Sequence, residues 1–352
     1  MLNDRFLIYG ATGYTGKLVA RTAKALGMHP LLGGRNEARL KSVAGQHGFD
    51  FRAFDLSDTA TLETVLNEVD VVLHIAGPFS QTSKPMLDAC IRTGTHYLDI
   101  TGEIDVFEAC AAQNEAAKTA GIMVLPGVGF DVVPSDCLAA HMKARMPDAT
   151  ELSLSISGLT SMSRGTAKTG VESIGRGTRV RRDGDIVALK VPPRINVDFG
   201  QGMRPAIGMG WGDVSTAFYS TDIPAITVYF EASPELEQMA GLSGFKRWVA
   251  SLGFMQRRLK AQVDQMPEGP TDTERRAGHS ILIGEAVNAA GDRVVSRLTT
   301  PEGYTLTAMT SLEIVRRALS GDVHPGFQTP SLAYGADFIT EFDGCVLQDL
   351  NS

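Results

Sequence analysis

Three glycines spaced three residues apart, Gly10, Gly13 and Gly16, follow the first apolar run of the chain. Between a strand and a helix, the first glycine permits a tight turn and the second lets the backbone approach a pyrophosphate. The third lets the helix pack closely on the strand. The N–H groups of the first helical turn then bind the phosphates. This pattern predicts a dinucleotide site, and the alternative is a glycine-rich turn that binds nothing.

The residues after the second apolar run separate NADP from NAD. An NAD site places Asp or Glu there to bind the ribose 2′-hydroxyl. This chain instead has Arg35 and Asn36 after two glycines, and its first acid is Glu37. An arginine guanidinium is permanently charged and matches a phosphate in geometry. The sequence therefore predicts NADP, with a solvated loop charge as the alternative for Arg35.

Two later segments complete the predicted cofactor site. Asp55 follows the third apolar run, where an adenine ring would lie, and Ala76-Gly-Pro-Phe79 follows the fourth, beside a ribose or nicotinamide. The candidate cofactor residues are Gly10, Ala11, Thr12, Gly13, Tyr14, Thr15, Gly16, Arg35, Asn36, Asp55, Ala76, Gly77, Pro78 and Phe79.

Three acidic residues follow the later strands. Asp99 and Glu103 come after the fifth apolar run and Asp131 after the sixth. Ligands of doubly wound sheets bind at the carboxyl ends of the strands. A carboxyl group whose pKa is raised by partial burial can serve there as a general acid. We take all three as catalytic candidates, and capping of helices or bracing of loops is the competing interpretation.

Two other catalytic mechanisms of dehydrogenases require particular residues. No tyrosine is followed four residues later by lysine, which excludes the usual short-chain dehydrogenase pair. Cys137 stands near the end of the Rossmann segment, as the nucleophile of a Cys-dependent semialdehyde dehydrogenase would, and that enzyme is one alternative. A dinucleotide-binding sensor or scaffold protein without turnover is another.

The elements expected to position these residues form an α/β fold. Apolar runs alternate with helical patterns over the first 135 residues, which predicts a Rossmann-type doubly wound parallel sheet. Within these 135 residues a single helix is predicted over 105–120, and His74 is predicted to be a hydrogen-bonded core residue of the fourth strand. After residue 147 the pattern becomes strictly alternating, as in an antiparallel or mixed sheet, with hairpin turns at Asp183-Gly184 and Gly291-Asp292. The glycine-rich stretch 200–212 suggests a mobile loop or a linker, and helical patterns return over 304–319 and 329–342. We predict a nucleotide-binding domain over 1–147 plus 303–352, and an inserted α+β mixed-sheet domain for substrate or dimerisation over 148–302.

Composition narrows the remaining classes of function. The 352 residues carry a formal net charge of −7, which argues against a nucleic-acid partner. We find neither an apolar run long enough to span a membrane nor a signal-peptide pattern, so we expect a cytoplasmic protein. The four cysteines lack metal-ligand spacing, and we expect no metal. An amphipathic basic stripe over 242–266 leaves peripheral membrane contact open beside core packing.

Several motifs together resemble a known family, the saccharopine dehydrogenase-like oxidoreductases, in particular the branch with the trans-acting enoyl reductases. The motifs are Tyr9-Gly-Ala-Thr-Gly-Tyr-Thr-Gly16, Gly34-Arg-Asn-Glu-Ala-Arg-Leu40, Ala76-Gly-Pro-Phe79, Gly94-Thr-His-Tyr-Leu-Asp99 with Gly102-Glu103, Gly127-Val-Gly-Phe-Asp131 with Pro134-Ser-Asp136, Gly210-Trp-Gly-Asp213 with Ser215-Thr-Ala217, and Gly303-Tyr-Thr-Leu-Thr-Ala308.

The resemblance implies an NADP-binding Rossmann domain completed by the C-terminal segment, and an inserted domain that often mediates dimerisation. It implies hydride transfer to a C=N, C=C or C=O bond of a small-molecule or lipid-like substrate, and a homodimer. The amino-acid-binding residues of true saccharopine reductases are not recognisable here.

Overall fold

The computed structural model describes residues 5–158, 162–174, 177–242 and 244–350. Contacts between residues divide the chain into two compact units. The first unit contains Met1–Val133 and Tyr304–Ala333, and the second contains Pro134–Gly303 and Tyr334–Ser352. Strands and helices are numbered along the chain.

The first unit is built on a seven-stranded sheet in which every neighbouring pair is parallel. Its strands are β1 (Phe6–Tyr9), β2 (Leu31–Gly34), β3 (Phe51–Ala53), β4 (Val71–His74), β5 (His96–Asp99), β6 (Met123–Leu125) and β15 (Gly326–Phe327). They lie in the order β15-β6-β5-β4-β1-β2-β3. This arrangement confirms the predicted Rossmann-type sheet, and β15 is a strand that the sequence pattern did not indicate.

Helices connect these strands, and polar residues fix where several of them begin. They are α1 (Tyr14–Ala25), α2 (Glu37–His47), α3 (Thr59–Leu66), α4 (Phe79–Thr93), α5 (Ile104–Ala111), α6 (Asn114–Ala120), α14 (Gly303–Leu319) and α15 (Pro330–Tyr334). Asn36 caps α2 by accepting a hydrogen bond from Arg39 N, and Asp58 caps α3 in the same way through Thr61 N. The single helix expected over 105–120 is in fact two, α5 and α6.

The order of the strands fixes where a ligand binds. From β1 the chain proceeds outward to β2 and β3, and then crosses back so that β4 lies on the other side of β1. The carboxyl ends of β1 and β4 therefore border the topological switch point of the sheet. The loops that follow these two strands contain the glycine motif and Ala76–Phe79, both of which the sequence assigned to the cofactor.

The second unit is built on a nine-stranded mixed sheet. Its strands are β7 (Ala149–Ser157), β8 (Thr178–Arg182), β9 (Asp185–Leu189), β10 (Arg194–Asp198), β11 (Met203–Met209), β12 (Ala225–Glu231), β13 (His279–Asn288), β14 (Arg293–Pro301) and β16 (Val346–Leu350). Among the described strand pairs of this second sheet, β7 and β12 alone are parallel, and the other pairs are antiparallel. The hairpins predicted at Asp183-Gly184 and Gly291-Asp292 are confirmed. The glycine-rich stretch 200–212 is largely the β10–β11 hairpin, where the sequence suggested a mobile loop or a linker.

The helices of the second unit include α7 (Val133–Arg145), α8 (Arg164–Ser173), α9 (Asp213–Thr221), α10 (Pro234–Ala240), α11 (Gly244–Ser251), α12 (Gly253–Val263) and α13 (Asp272–Ala277). The helical stripe predicted over 242–266 is therefore divided between α11 and α12, and the side chains of Phe245 and Arg247 lie outside the described set. No helix in the described ranges is long and apolar enough to cross a membrane.

The two units have different limits from the predicted domains. The prediction placed α7 and the last residues of the chain in the nucleotide-binding domain. In the structure Leu138 and Met142 of α7 pack on Gly284 of β13, where an added Cβ would lie 3.0 and 2.9 Å from their side chains. Strand β16 pairs with β14. The helix predicted over 329–342 is α15 followed by a 3₁₀ helix, Ala336–Glu341, that belongs to the second unit.

Candidate functional site

The glycine loop brings the ends of β1 and β4 into close contact. Gly10 has φ +98°, and a Cβ added there would lie 2.7 Å from Ala76 N. A Cβ on Gly16 would lie 2.3 Å from Gly10 O. Only glycine at this position therefore lets α1 approach the loop so closely. Gly10 N also donates a hydrogen bond to Gly33 O at 2.9 Å. Two of the three glycines are therefore required by the backbone packing itself.

The remaining glycine, Gly13, faces open space. Its added Cβ would meet only Gly10 O, at 3.5 Å, among the described atoms, and the residue is exposed. Gly13 is also the N-cap residue of α1 and has no side chain with which to cap the helix, and the first turn contains no acid. A helix N-terminus of this kind attracts an anion. The loop thus has the shape and charge that a pyrophosphate requires.

The end of β2 presents a cation to solvent. The Arg35 side chain is 79% exposed, and its Nε lies 3.9 Å from Asp55 Oδ2 at the end of β3. Hydrogen bonds from Ser57 N and the Ser57 hydroxyl, with a contribution from Arg35, lower the pKa of Asp55. An exposed guanidinium is available to a 2′-phosphate. Asn36 is bonded to Arg39 N as the cap of α2, so that its side chain already has a structural role.

Hydrogen bonds of the buried His74 and the half-buried Thr82 hold the turn after β4. The peptide bond between Gly77 and Pro78 is cis. The Thr82 hydroxyl donates to Ala76 O at 2.7 Å, and His74 Nε2 lies 3.0 Å from that hydroxyl oxygen. Burial lowers the pKa of His74 to about 3, so the ring is neutral. His74 is fully buried, which confirms its prediction as a hydrogen-bonded core residue.

Glu103 binds the N-terminus of α4. Its Oε1 accepts a hydrogen bond from Phe79 N at 2.9 Å, and its Oε2 accepts one from Ser80 N at 2.9 Å. A carboxylate in this position neutralises the positive end of the helix dipole. Both oxygens of this catalytic candidate therefore serve to position the turn that ends at Phe79.

Asp99 joins β5 to the loop after β6. Its Oδ1 accepts hydrogen bonds from Thr101 N at 2.9 Å and Gly127 N at 3.0 Å, and its Oδ2 accepts one from the Tyr97 hydroxyl at 2.6 Å. Burial raises the pKa of Asp99 to about 6, and the three hydrogen bonds oppose that rise. With three donors satisfied by the protein, Asp99 has the environment of a structural carboxylate.

Asp131 has a different environment from the other two acids. It is half-buried in the loop after β6, and burial raises the pKa of its carboxyl group to about 7. Its Oδ2 lies against Gly102, where an added Cβ would be 3.0 Å away. Gly102 directly precedes Glu103, so Asp131 stands beside the residue that anchors the turn after β4. A carboxyl group with a pKa near 7 is suited to donating a proton.

Helix α14 supports the loop that carries Asp131. The Thr307 hydroxyl oxygen accepts a hydrogen bond from Phe130 N at 3.0 Å, and the Thr310 hydroxyl donates to Val128 O at 2.8 Å. At the start of the same helix Tyr304 makes an edge contact with Tyr14 of the glycine loop, with ring centroids 5.1 Å apart. One helix therefore contacts both the predicted phosphate loop and the loop of the candidate acid.

The sequence did not assign these roles to α14. It predicted a helix over 304–319, and the motif Gly303–Ala308 formed part of the resemblance. Hydroxyls three residues apart lie on one helix face, which is the available signal, but the pattern does not show which loop they contact.

The alternative of a nucleophilic cysteine loses its basis in the structure. Cys137 is fully buried, and burial raises its pKa well above the usual value. A thiol of this kind does not supply the thiolate that nucleophilic catalysis needs. Among the residues that the structure describes, no group of three or more His, Cys, Asp or Glu side chains is arranged to hold a metal ion.

A known family model matches the N-terminal part of the first unit. Residues 6–125 match the model of the saccharopine dehydrogenase NADP binding domain. The match includes the glycine loop, Arg35, Asp55 and Ala76–Phe79, and it confirms the predicted NADP cofactor and the resemblance to saccharopine dehydrogenase-like oxidoreductases.

Curated relatives of this NADP-binding domain carry the name trans-acting enoyl reductase. The protein from Mycobacterium leprae is 36% identical over 141 residues, which are 37% of this chain and 33% of that protein. The protein from Mycobacterium ulcerans is 32% identical over 153 residues, which are 40% of this chain and 35% of that protein. The matched part of the chain thus spans about a third of the length of these relatives.

A solved structure shares the fold over nearly the whole chain. The apo saccharopine dehydrogenase (L-Glu forming) of Saccharomyces cerevisiae superposes with a TM-score of 0.64 at 11% identity, covering 98% of this chain and 99% of that one. This likeness confirms the fold class, a Rossmann-type sheet with a second mixed-sheet domain.

Proposed function

We propose that the protein is an NADPH-dependent reductase that transfers a hydride to a polarised double bond and completes the reaction with a proton from Asp131. Among C=N, C=C and C=O bonds, a C=C bond conjugated to a carbonyl is favoured, because the curated relatives are named enoyl reductases. The proposed substrate is a small-molecule or lipid-like unsaturated acyl compound.

The observation that carries the proposal is the placement of Asp131. Through Gly102 and Glu103 its loop is linked to the turn after β4, and through Phe130 N, Thr307 and Tyr304 it is linked to Tyr14 of the glycine loop. Contacts from both halves of the proposed cofactor site thus hold the loop of Asp131, the candidate acid whose pKa is about 7.

The proposed roles follow from these positions. The cofactor, when bound, supplies the hydride. The α1 N-terminus binds the pyrophosphate at Gly13, Arg35 binds the 2′-phosphate, and Glu103 holds the turn from Ala76 to Phe79. Asp131, protonated below pH 7, donates the proton that the reduced carbon or heteroatom requires. Asp99 keeps the strand ends in register.

The test is a comparison of wild type with Asp131→Asn in two assays. We expect both proteins to bind NADPH with similar affinity by fluorescence titration, because Asp131 does not contribute to the proposed phosphate contacts. NADPH oxidation with an α,β-unsaturated acyl thioester should fall about 100-fold or more in the variant. Wild-type turnover should decline as pH rises through about 7.

Unchanged turnover in Asp131→Asn would remove that residue from the mechanism. The non-catalytic sensor hypothesis makes a separate prediction, in which NADPH binds tightly to wild type and no carbonyl, imine or enoyl compound oxidises it. A homodimer and a cytoplasmic location remain part of the proposal, and sedimentation and fractionation test them.

A further inference from the structure

Two large aromatic side chains of the second unit are exposed on consecutive helices. Trp248 of α11 and Phe254 of α12 are each 58% exposed. Three exposed cationic side chains accompany them, Lys246 on α11 with Arg257 and Arg258 on α12. We call these five residues the aromatic–basic face. Exposed apolar side chains that form a contiguous patch mark interaction surfaces, whereas single exposed ones are ordinary.

The opposite side of α12 is already occupied. Gln256 Nε2 donates to Val171 O of α8 at 2.8 Å, Lys260 forms an ion pair with Glu172 of α8, and Val263 is 8% exposed. Phe254, Arg257 and Arg258 stand at positions i, i+3 and i+4 of the same helix, which form a separate stripe. Packing within the unit therefore occupies one side of α12, and Phe254, Arg257 and Arg258 lie on its exposed side.

The charge of this segment is opposite to that of the protein. Residues 242–263 contain five Lys or Arg and no Asp or Glu, whereas the whole chain has a net charge of −7. Within the described ranges Arg257 and Arg258 form no ion pair, although α12 ends beside Asp264, which binds Lys168. Exposed cations together with exposed aromatic rings match an anionic, partly apolar surface.

We propose that the aromatic–basic face binds the surface of a bilayer that contains anionic lipids. Trp248 and Phe254 insert their rings at the level of the headgroups, where aromatic side chains are favoured. Lys246, Arg257 and Arg258 contact lipid phosphates. Met239 and Met266, 38% and 40% exposed, add apolar area near the ends of the helical segment. This inference does not depend on the proposed reaction.

Vesicle sedimentation of the full chain tests the proposal. We expect binding to phosphatidylcholine vesicles that contain phosphatidylglycerol, weak binding to phosphatidylcholine alone, and loss of binding at high salt. Arg257→Gln with Arg258→Gln should weaken partitioning about 30-fold, since each cation near the surface contributes about a factor of five. Trp248→Ala with Phe254→Ala should abolish it. In a Trp211→Phe background, Trp248 is the single tryptophan, and its emission should shift to shorter wavelength with anionic vesicles.

Matched controls use exposed residues elsewhere. Arg39→Gln with Lys41→Gln removes two exposed cations from α2, and Leu26→Ala with Val191→Ala removes two exposed apolar side chains, 63% and 75% exposed. Both controls should bind vesicles as wild type does, and circular dichroism checks that every variant is folded. Equal losses in controls and face variants would overturn the proposal. The proposal would also be overturned if the wild-type protein did not bind anionic vesicles at low salt. That result is expected if the partner of this face is an acidic protein.

Discussion

The environment of Asp131 has a consequence for stability that requires no knowledge of the substrate. An Asp whose pKa is higher in the folded than in the unfolded protein binds its proton more tightly when folded. Its contribution to stability is therefore full at low pH and is lost as pH rises from the unfolded pKa to the folded one. For Asp131 these limits are 3.8 and about 7. The first unit should become less stable as pH rises across this window.

The magnitude follows from the difference between the two pKa values. Each pKa difference of one corresponds to about 1.4 kcal/mol, so that ionising Asp131 in the folded protein costs at most about 4 kcal/mol. Asp131→Asn removes this cost while keeping the shape of the side chain. Above neutral pH we expect the variant to be more stable than wild type, by about 2 to 4 kcal/mol. Near pH 4 the two should be equal.

Urea unfolding at a series of pH values measures the effect. The informative quantity is the difference between Asp131→Asn and wild type at each pH, because Asp99 and other groups shared by both proteins cancel. Asp185→Asn, in the exposed β8–β9 hairpin of the second unit, is the matched control for the same substitution outside the candidate site. If the difference between Asp131→Asn and wild type is constant from acid to alkaline pH, the raised pKa is refuted, and with it the argument for Asp131 as proton donor.

Three further predictions concern the surrounding site. Arg35→Ala should weaken NADPH binding about 10- to 100-fold while leaving NADH affinity unchanged in fluorescence titration, because only the 2′-phosphate distinguishes the two; equal losses for both cofactors would contradict the assignment. Glu103→Gln should lower the free energy of unfolding by about 1 to 3 kcal/mol, since a charged acceptor of two N–H groups is lost, and thermal denaturation at neutral pH measures it. Thr307→Val should raise backbone hydrogen exchange at Phe130 and reduce turnover more than NADPH affinity, whereas no change at Phe130 would show that α14 does not hold the loop.

The sequence was sufficient for the elements whose residues are adjacent in the chain. Gly10, Gly13 and Gly16 follow a strand and begin a helix, and local pattern alone predicts both the turn and its ligand. The same holds for the hairpins at Asp183-Gly184 and Gly291-Asp292, where turn chemistry fixes the register. Strand β15 was not predicted, because Gly326–Phe327 is only two residues long and is too short to show a hydrophobic periodicity.

The boundary between the two units differs from the predicted domain boundary for a different reason. Helix α7 continues directly from the loop of Asp131, so that the sequence offers no break before Pro147. What decides its membership is the close contact of Leu138 and Met142 with Gly284, a residue more than a hundred positions away. Similarly, nothing in Val346–Leu350 indicates that it pairs with β14.

The three acids illustrate most directly what the sequence cannot provide. Asp99, Glu103 and Asp131 all follow strands of one parallel sheet, and their types and spacing make them equivalent candidates. The structure shows which donors reach two of these carboxylates. Glu103 receives Phe79 N and Ser80 N, and Asp99 receives Thr101 N, Gly127 N and the Tyr97 hydroxyl.

Most of these donors come from elements that are distant in sequence, so no local pattern predicts them. The hydrogen bonds to Asp99 oppose the rise in pKa that burial causes, and the donors that reach Asp99 and Glu103 fix both carboxylates in place, which suits a structural role. A carboxyl group whose pKa is raised by burial keeps its proton up to neutral pH, and Asp131 is the acid of this kind that is also partly accessible. We therefore base the proposal of Asp131 as the proton donor on its raised pKa and partial exposure, rather than on its position at a strand end.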